Sequence, residues 1–150
     1  MGGPATQKSG GEGGGGDTMN PVLAIMIAAN PVADRDLALV AAIEQVESGG
    51  YLQAVGDEGR AVGVLQIHKI VVDDCNRIIK QKALHYDDRW SQPMSREIFW
   101  IITYHYSSGA SREVIARRWN GGPTGEQKEA TLDYWHKVEA ALREQEQESE

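Results

Sequence analysis

Leu39-Val-Ala-Ala-Ile43-Glu-Gln-Val-Glu47-Ser-Gly-Gly50 decides the reading of this chain. Leu39, Ile43 and Val46 follow a helical i, i+4, i+7 rhythm, and Val40, Ile43 and Glu47 lie along an adjoining line on the same side. The glycine pair ends the helix at once. Glu47 therefore stands in the last turn, at the edge of the apolar stripe. A carboxyl held against apolar neighbours has its charged form disfavoured, so its pKa rises and it can keep a proton near neutral pH. That is the property of a general acid. The bland alternative is a solvated glutamate in a last helical turn, which is how the sequence reads for nearby Glu44.

Outward from this stretch, the chain reads as mostly helical. Asn30 or Asp34 can cap the Glu47 helix, with Pro31 near a first-turn position. Ala54-Val55 and Ala61-Val62 flank the turn-rich Gly56-Asp57-Glu58-Gly59-Arg60, which predicts a small hairpin folding back over the helix end. Ile67, Ile70, Val71, Asp74 and Ile78 mark a further helix, and Ile98, Ile101, Ile102 and His105 a central apolar one. Ser111 can cap a short helix to Trp119. Trp135, Val138 and Leu142 share one face of the last. The fold class is α+β, mainly α-helical.

Three further blocks follow Glu47-Ser48 in order: Gly63-Val-Leu-Gln66-Ile67, Ala116-Arg-Arg-Trp-Asn120-Gly-Gly-Pro123 and Thr131-Leu-Asp-Tyr134-Trp135-His-Lys-Val138. Together, over residues 37–140, they resemble the lysozyme-like superfamily. Glu-Ser, Gly-x-x-Gln-Ile and Asn-x-Gly-Pro are similar to soluble lytic transglycosylase domains. Ala-Arg-x-x-Asn-Gly-Gly-Pro-x-Gly and Thr-Leu-x-Tyr-Trp-x-Lys-Val look closer to invertebrate-type lysozymes. Ala130 stands where transglycosylases carry a Glu before the Thr, which favours the lysozyme branch.

The resemblance implies a lysozyme-like fold and cleavage of the β-1,4 bond between N-acetylmuramic acid and N-acetylglucosamine in peptidoglycan. Such chemistry needs one carboxylic acid above the scissile bond and accepts help from a second carboxylate. Glu47 takes the first role and Asp57, on the hairpin, the second, with Glu58 as its rival. Both could equally be plain turn residues. Gln66 is expected in the substrate cleft, Gly63 to allow close backbone approach, Ser48 to bond Glu47 or substrate, Asn120 to form a cleft wall, and Tyr134 to reach Glu47 or a sugar. The alternatives are a lytic transglycosylase giving 1,6-anhydro products, a non-catalytic sugar-binding module of the same fold, and an isopeptidase acting on peptide cross-links.

Composition bounds the rest. A chain of 150 residues with one cysteine, Cys75, is about one domain without an internal disulfide. Secreted animal lysozymes are cysteine-rich, so a bacterial or phage-type relative acting at the cell wall is expected. The net charge of -7 argues against nucleic-acid binding. Lys69, Arg117, Arg118 and Lys128 are the residues that could still build a local basic cleft. The organisation reads as a Gly-rich tail over 1–18, a domain over 19–142 and an acidic tail over 143–150.

The apolar run Val22–Ala29 is too short to span a bilayer, which takes about 20 residues, and lacks a basic segment before it as in a signal peptide. It is expected to pack on the domain as a helix or strand. The scattered histidines His68, His85, His105 and His136 show no metal-ligand spacing and receive the ordinary structural reading, as does Cys75. No cofactor or metal is expected. Peptidoglycan glycan strands are the expected partner of a monomer.

Overall fold

Asp36 opens the first helix, α1 (Leu37–Ser48): its side chain accepts a hydrogen bond from the Leu39 amide at 3.1 Å. Gly49, at φ 65°, closes the helix in the left-handed conformation that glycine tolerates without a steric cost. The computed structural model describes residues 35–150, so Asn30, Asp34, the Gly-rich start and the apolar run Val22–Ala29 lie outside the described residues. Asp36 is the cap because its carboxylate reaches the third helical amide.

Leu39, Val40, Ala42 and Ile43 are wholly buried, and α1 packs chiefly against the last helix, α5 (Leu132–Glu148). Val138, Ala141 and Leu142 supply the buried face of α5, while Trp135 packs part-buried at its margin. The helix continues through 143–148, the stretch read as an acidic tail, as an exposed end.

Glu44 overturns its expected place in solvent. It is 5 % exposed and receives the Arg96 guanidinium on both carboxylate oxygens, plus the Gln92 amide at 2.9 Å. A carboxylate can leave water on these terms because charged donors replace its hydration. Arg96 and Gln92 come from α3 (Gln92–Ser107), so the pair joins α1 to the central helix.

Val55–Gly56 (β1) and Ala61–Val62 (β2) form the expected hairpin, paired Val55 to Val62 and Gly56 to Ala61, with a single 3-10 turn at Asp57–Gly59. Helix α2 (Lys69–Ile79) buries Val72, Cys75 and Ile79. Ile70, expected on that face, is 73 % exposed, so the stripe lies one step round from the predicted one. In α3, capped by Ser91, Ile98, Phe99 and Ile101 are buried and His105 is exposed. Helix α4 (Arg112–Gly121) is capped by Ser111, as its sequence indicated, and runs on past Trp119 to Gly121. The result is the α+β, mainly helical class the pattern called for. Among the described residues no helix is long and apolar enough to cross a membrane.

Truncating Glu44 strands the Arg96 charge at a part-buried site. Glu44→Ala is expected to lower stability by roughly 3 kcal/mol, the low end for broken buried pairs because Arg96 retains some solvent. Urea denaturation of the two proteins measures it, and an unchanged midpoint would rule out the anchoring role.

Candidate active site

Glu47 leaves the end of α1 into a cleft of about 370 Å³ that it shares with Asp57, Gln66, His68, Trp119 and Asn120. Three elements build it. The helix end brings Glu47, the hairpin and the turn after it bring Asp57, Gln66 and His68, and the last turn of α4 brings Trp119 and Asn120.

From α5, the Tyr134 hydroxyl donates to Glu47 Oε1 at 2.9 Å. Burial pushes the Glu47 carboxyl up from the ordinary glutamate range to about 7, and the Tyr134 hydrogen bond opposes part of that rise. The Tyr134 phenol is itself held well above its usual range by burial and by the adjoining carboxylate. No ion pair reaches Glu47 among the described residues. A protonated carboxyl near neutral pH, facing an open cleft, is equipped to give up a proton there.

Asp57 faces the same cleft from the hairpin tip, whereas Glu58 does not line it. Both stand at left-handed φ, 49° and 57°, and Gln66 at 51°. Three non-glycine residues in this sparsely populated region sit within one short segment beside the cleft, the kind of backbone strain that gathers at functional sites. Asp57 is also tethered on both oxygens. Arg60 bonds Oδ1 at 2.8 Å and the His68 Nε2 lies 3.2 Å from Oδ2.

His68 is the residue that sequence reasoning passed over. It carries no motif spacing, and only the return of the chain after the hairpin brings it beside Asp57. The adjacency of Gln66-Ile67-His68 to a cleft motif was the one available signal.

Several expected roles change. Ser48 bonds neither Glu47 nor the cleft: its hydroxyl lies 2.7 Å from the Val64 carbonyl and 3.1 Å from that of Glu44, and it accepts from the Gly50 amide. It ties the helix end to the loop beyond the hairpin. Gly63 does not line the cleft and is needed for the close approach of another backbone. At φ 81° it packs so closely on Arg89 that an added Cβ would lie 1.9 Å from the Arg89 carbonyl oxygen. Gln66 lines the cleft, but its amide nitrogen donates inward to the Ala54 and Gly63 carbonyls at 3.1 and 2.9 Å.

The basic residues considered for the cleft are committed elsewhere. Arg117 bonds Glu113 and Thr131, Arg118 bonds Glu126, Lys128 bonds the Gly121 carbonyl, and Lys69 stands over the Tyr86 ring. Trp119 serves both core and site, packing edge-on to Phe99 while lining the cleft. Behind Trp119 and Val71 lies a second, more apolar hollow of about 450 Å³, without a carboxyl of the Glu47 kind. Cys75 is buried, its thiol pushed up to about 12, which is the state of an inert core residue. Among the described residues no cluster of three potential metal ligands occurs.

No family model and no curated protein matches the chain. Among solved structures, it is similar to a chain in the crystal structure of Aeromonas hydrophila PliI in complex with Meretrix lusoria lysozyme, with a TM-score of 0.59 and 25% identity over 69% of this chain and 87% of that one. The relationship thus reaches a complex that contains a lysozyme.

Two outcomes follow from the geometry. Tyr134→Phe removes the hydrogen bond that favours the ionised form, so the Glu47 carboxyl is expected to titrate above about 7, read by ¹³C NMR of its carboxyl carbon. A downward shift would contradict the assigned cause. The second concerns stability. Because the folded-state pKa is raised, the stability tied to the proton is full below the unfolded value and is lost as pH rises through about 7. Glu47→Gln, a stand-in for the protonated form, is expected to match the wild type near pH 4 and exceed it by roughly 3 kcal/mol at pH 8, at about 1.4 kcal/mol per unit. Denaturation curves at the two pH values test this.

Proposed function

We propose that the protein binds peptidoglycan glycan strands in the Glu47 cleft and hydrolyses the β-1,4 bond between N-acetylmuramic acid and N-acetylglucosamine. The observation that carries this reading is the Glu47 carboxyl, buried at a helix end, raised to about 7 and open to a cleft that also holds a carboxylate from a different element. The ordered blocks resembling lysozyme-like proteins support it, while the similarity to a chain in a lysozyme-containing complex gives a lysozyme-related context and favours the second reading below.

In this reaction Glu47 gives its proton to the bridging oxygen as the bond from that oxygen to the anomeric carbon breaks. Positive charge builds on the muramic ring, and the Asp57 carboxylate stabilises it electrostatically. Water then adds to the anomeric carbon and returns its proton to Glu47. If the muramic 6-hydroxyl attacks in place of water, the product is the 1,6-anhydro sugar of a lytic transglycosylase, lighter by one water.

A second reading is a non-catalytic binding module of the same fold. It is favoured by the two partners already engaging Asp57, which leave that carboxylate less free to act, and by the similar chain's being part of a protein–protein complex. This reading predicts binding of glycan strands or of a protein partner without product.

Mass spectrometry of soluble muropeptides released from purified peptidoglycan separates these cases. Hydrated reducing ends are expected from the wild type and none from Glu47→Gln. Full activity in that variant would remove Glu47 from the chemistry, anhydro products would identify a transglycosylase, and sedimentation with peptidoglycan without any product would favour the binding module.

A further inference from the structure

We infer that His68 is a positioning residue for Asp57, an assignment that rests on the glycosidase reading of the cleft. Asp57 sits on the tip of a two-strand hairpin, in a turn with no buried residue, whereas the strand Ala61–Val62 that follows is buried. Its Arg60 partner belongs to the same turn, so that pair moves with the turn and does not fix it against the rest of the molecule. His68 is different. It stands at the entry to α2, and its Nε2 lies 3.2 Å from Asp57 Oδ2, so this contact holds the carboxylate to the helical body. Both side chains line the cleft that Glu47 also lines.

Charge gives the contact a second consequence. The contact keeps the Asp57 carboxylate at the cleft it lines, where its negative charge can meet the positive charge that builds on the sugar ring. The other charged groups at this place are Arg60 on the hairpin and Glu47 at the end of α1, while α4 contributes the uncharged Trp119 and Asn120. On α2, Lys69 is directed onto the Tyr86 ring. His68 would therefore hold Asp57 in place at the cleft.

The test compares H68A, H68Q, D57N and D57N/H68A in peptidoglycan hydrolysis, with kcat and KM followed from about pH 5 to 8. H68A is expected to lower kcat about tenfold with little change in KM, the scale of a misplaced catalytic group. H68Q, which keeps a donor, is expected to restore most of kcat. On a D57N background H68A should cost nothing further. Equal losses with and without Asp57, or a wild-type kcat in H68A, would overturn the assignment.

A reading independent of turnover accompanies it: the ¹³C resonance of the Asp57 carboxyl should be coupled to the neighbouring ring, differing between the wild type and H68A. Absence of that coupling overturns the inference even in an active protein. Its presence in a protein that yields no product would uphold the contact and overturn the glycosidase reading instead.

Discussion

Helix α1 is buried around much of its circumference, and the rest of the molecule is arranged to satisfy it. Leu39, Val40, Ala42 and Ile43 are inaccessible, and even the carboxylate of Glu44 is enclosed. Such a helix cannot shift without breaking the core, so its last turn is fixed in space. Glu44 and Glu47, one turn apart, meet opposite surroundings as a result. The first is bound by the Arg96 guanidinium and the Gln92 amide from α3, and the second, among the described residues, by the Tyr134 hydroxyl alone. Two carboxyls on one helix thus acquire different chemistry from their neighbours, one as an anchor and one as a proton store.

Holding Glu47 this way works against the stability of the fold. A carboxyl that is mostly desolvated and has no cation beside it among the described residues is tolerated because its proton can stay on, and because Tyr134 softens the cost once the proton leaves. A bland core would place an apolar residue or an amide here. That the chain keeps an ionisable group at a buried helix end facing a cleft is the kind of local conflict expected where function overrides stability.

What the sequence made legible was whatever depends on local periodicity and turn chemistry. The end of α1 at Gly49, the hairpin around Asp57 and the Ser111 cap are local features, and each stands where its residues indicated. Contacts between distant segments were not legible. The enclosure of Glu44 depends on Arg96, and the place of His68 depends on how the hairpin returns to α2. Gly63 and Ser48 were rightly singled out as special but for the wrong neighbour: a motif marks a constrained position without saying whether the constraint is a ligand or another stretch of backbone. For Ile70, the apolar pattern of α2 offered two adjoining stripes, and the one through Val72 and Cys75 faces the core.

The cleft in turn depends on a residue outside it. Arg89, 6 % exposed, has no carboxylate partner among the described ion pairs and directs its guanidinium at backbone carbonyls: those of Ile67 at 3.0 Å, Tyr86 at 2.8 Å and, more loosely, Arg60 at 3.4 Å. Its own carbonyl accepts from Ser95 and presses on Gly63, where a side chain would not fit. A buried guanidinium is costly unless its donors are used, and these carbonyls, fixed in space, give it partners that also define the path of the loop from the hairpin to α2. Gln66 adds the inner bonds to Ala54 and Gly63, and its amide oxygen lies so close to Gly56 that a side chain there would have to displace it. The hairpin therefore owes its position less to its two strand pairs than to one arginine and one glutamine that bind backbone. Asp57 and His68 are carried at either end of that held segment, which is how a short ribbon with almost no sheet of its own can present a carboxylate to Glu47 in a fixed geometry.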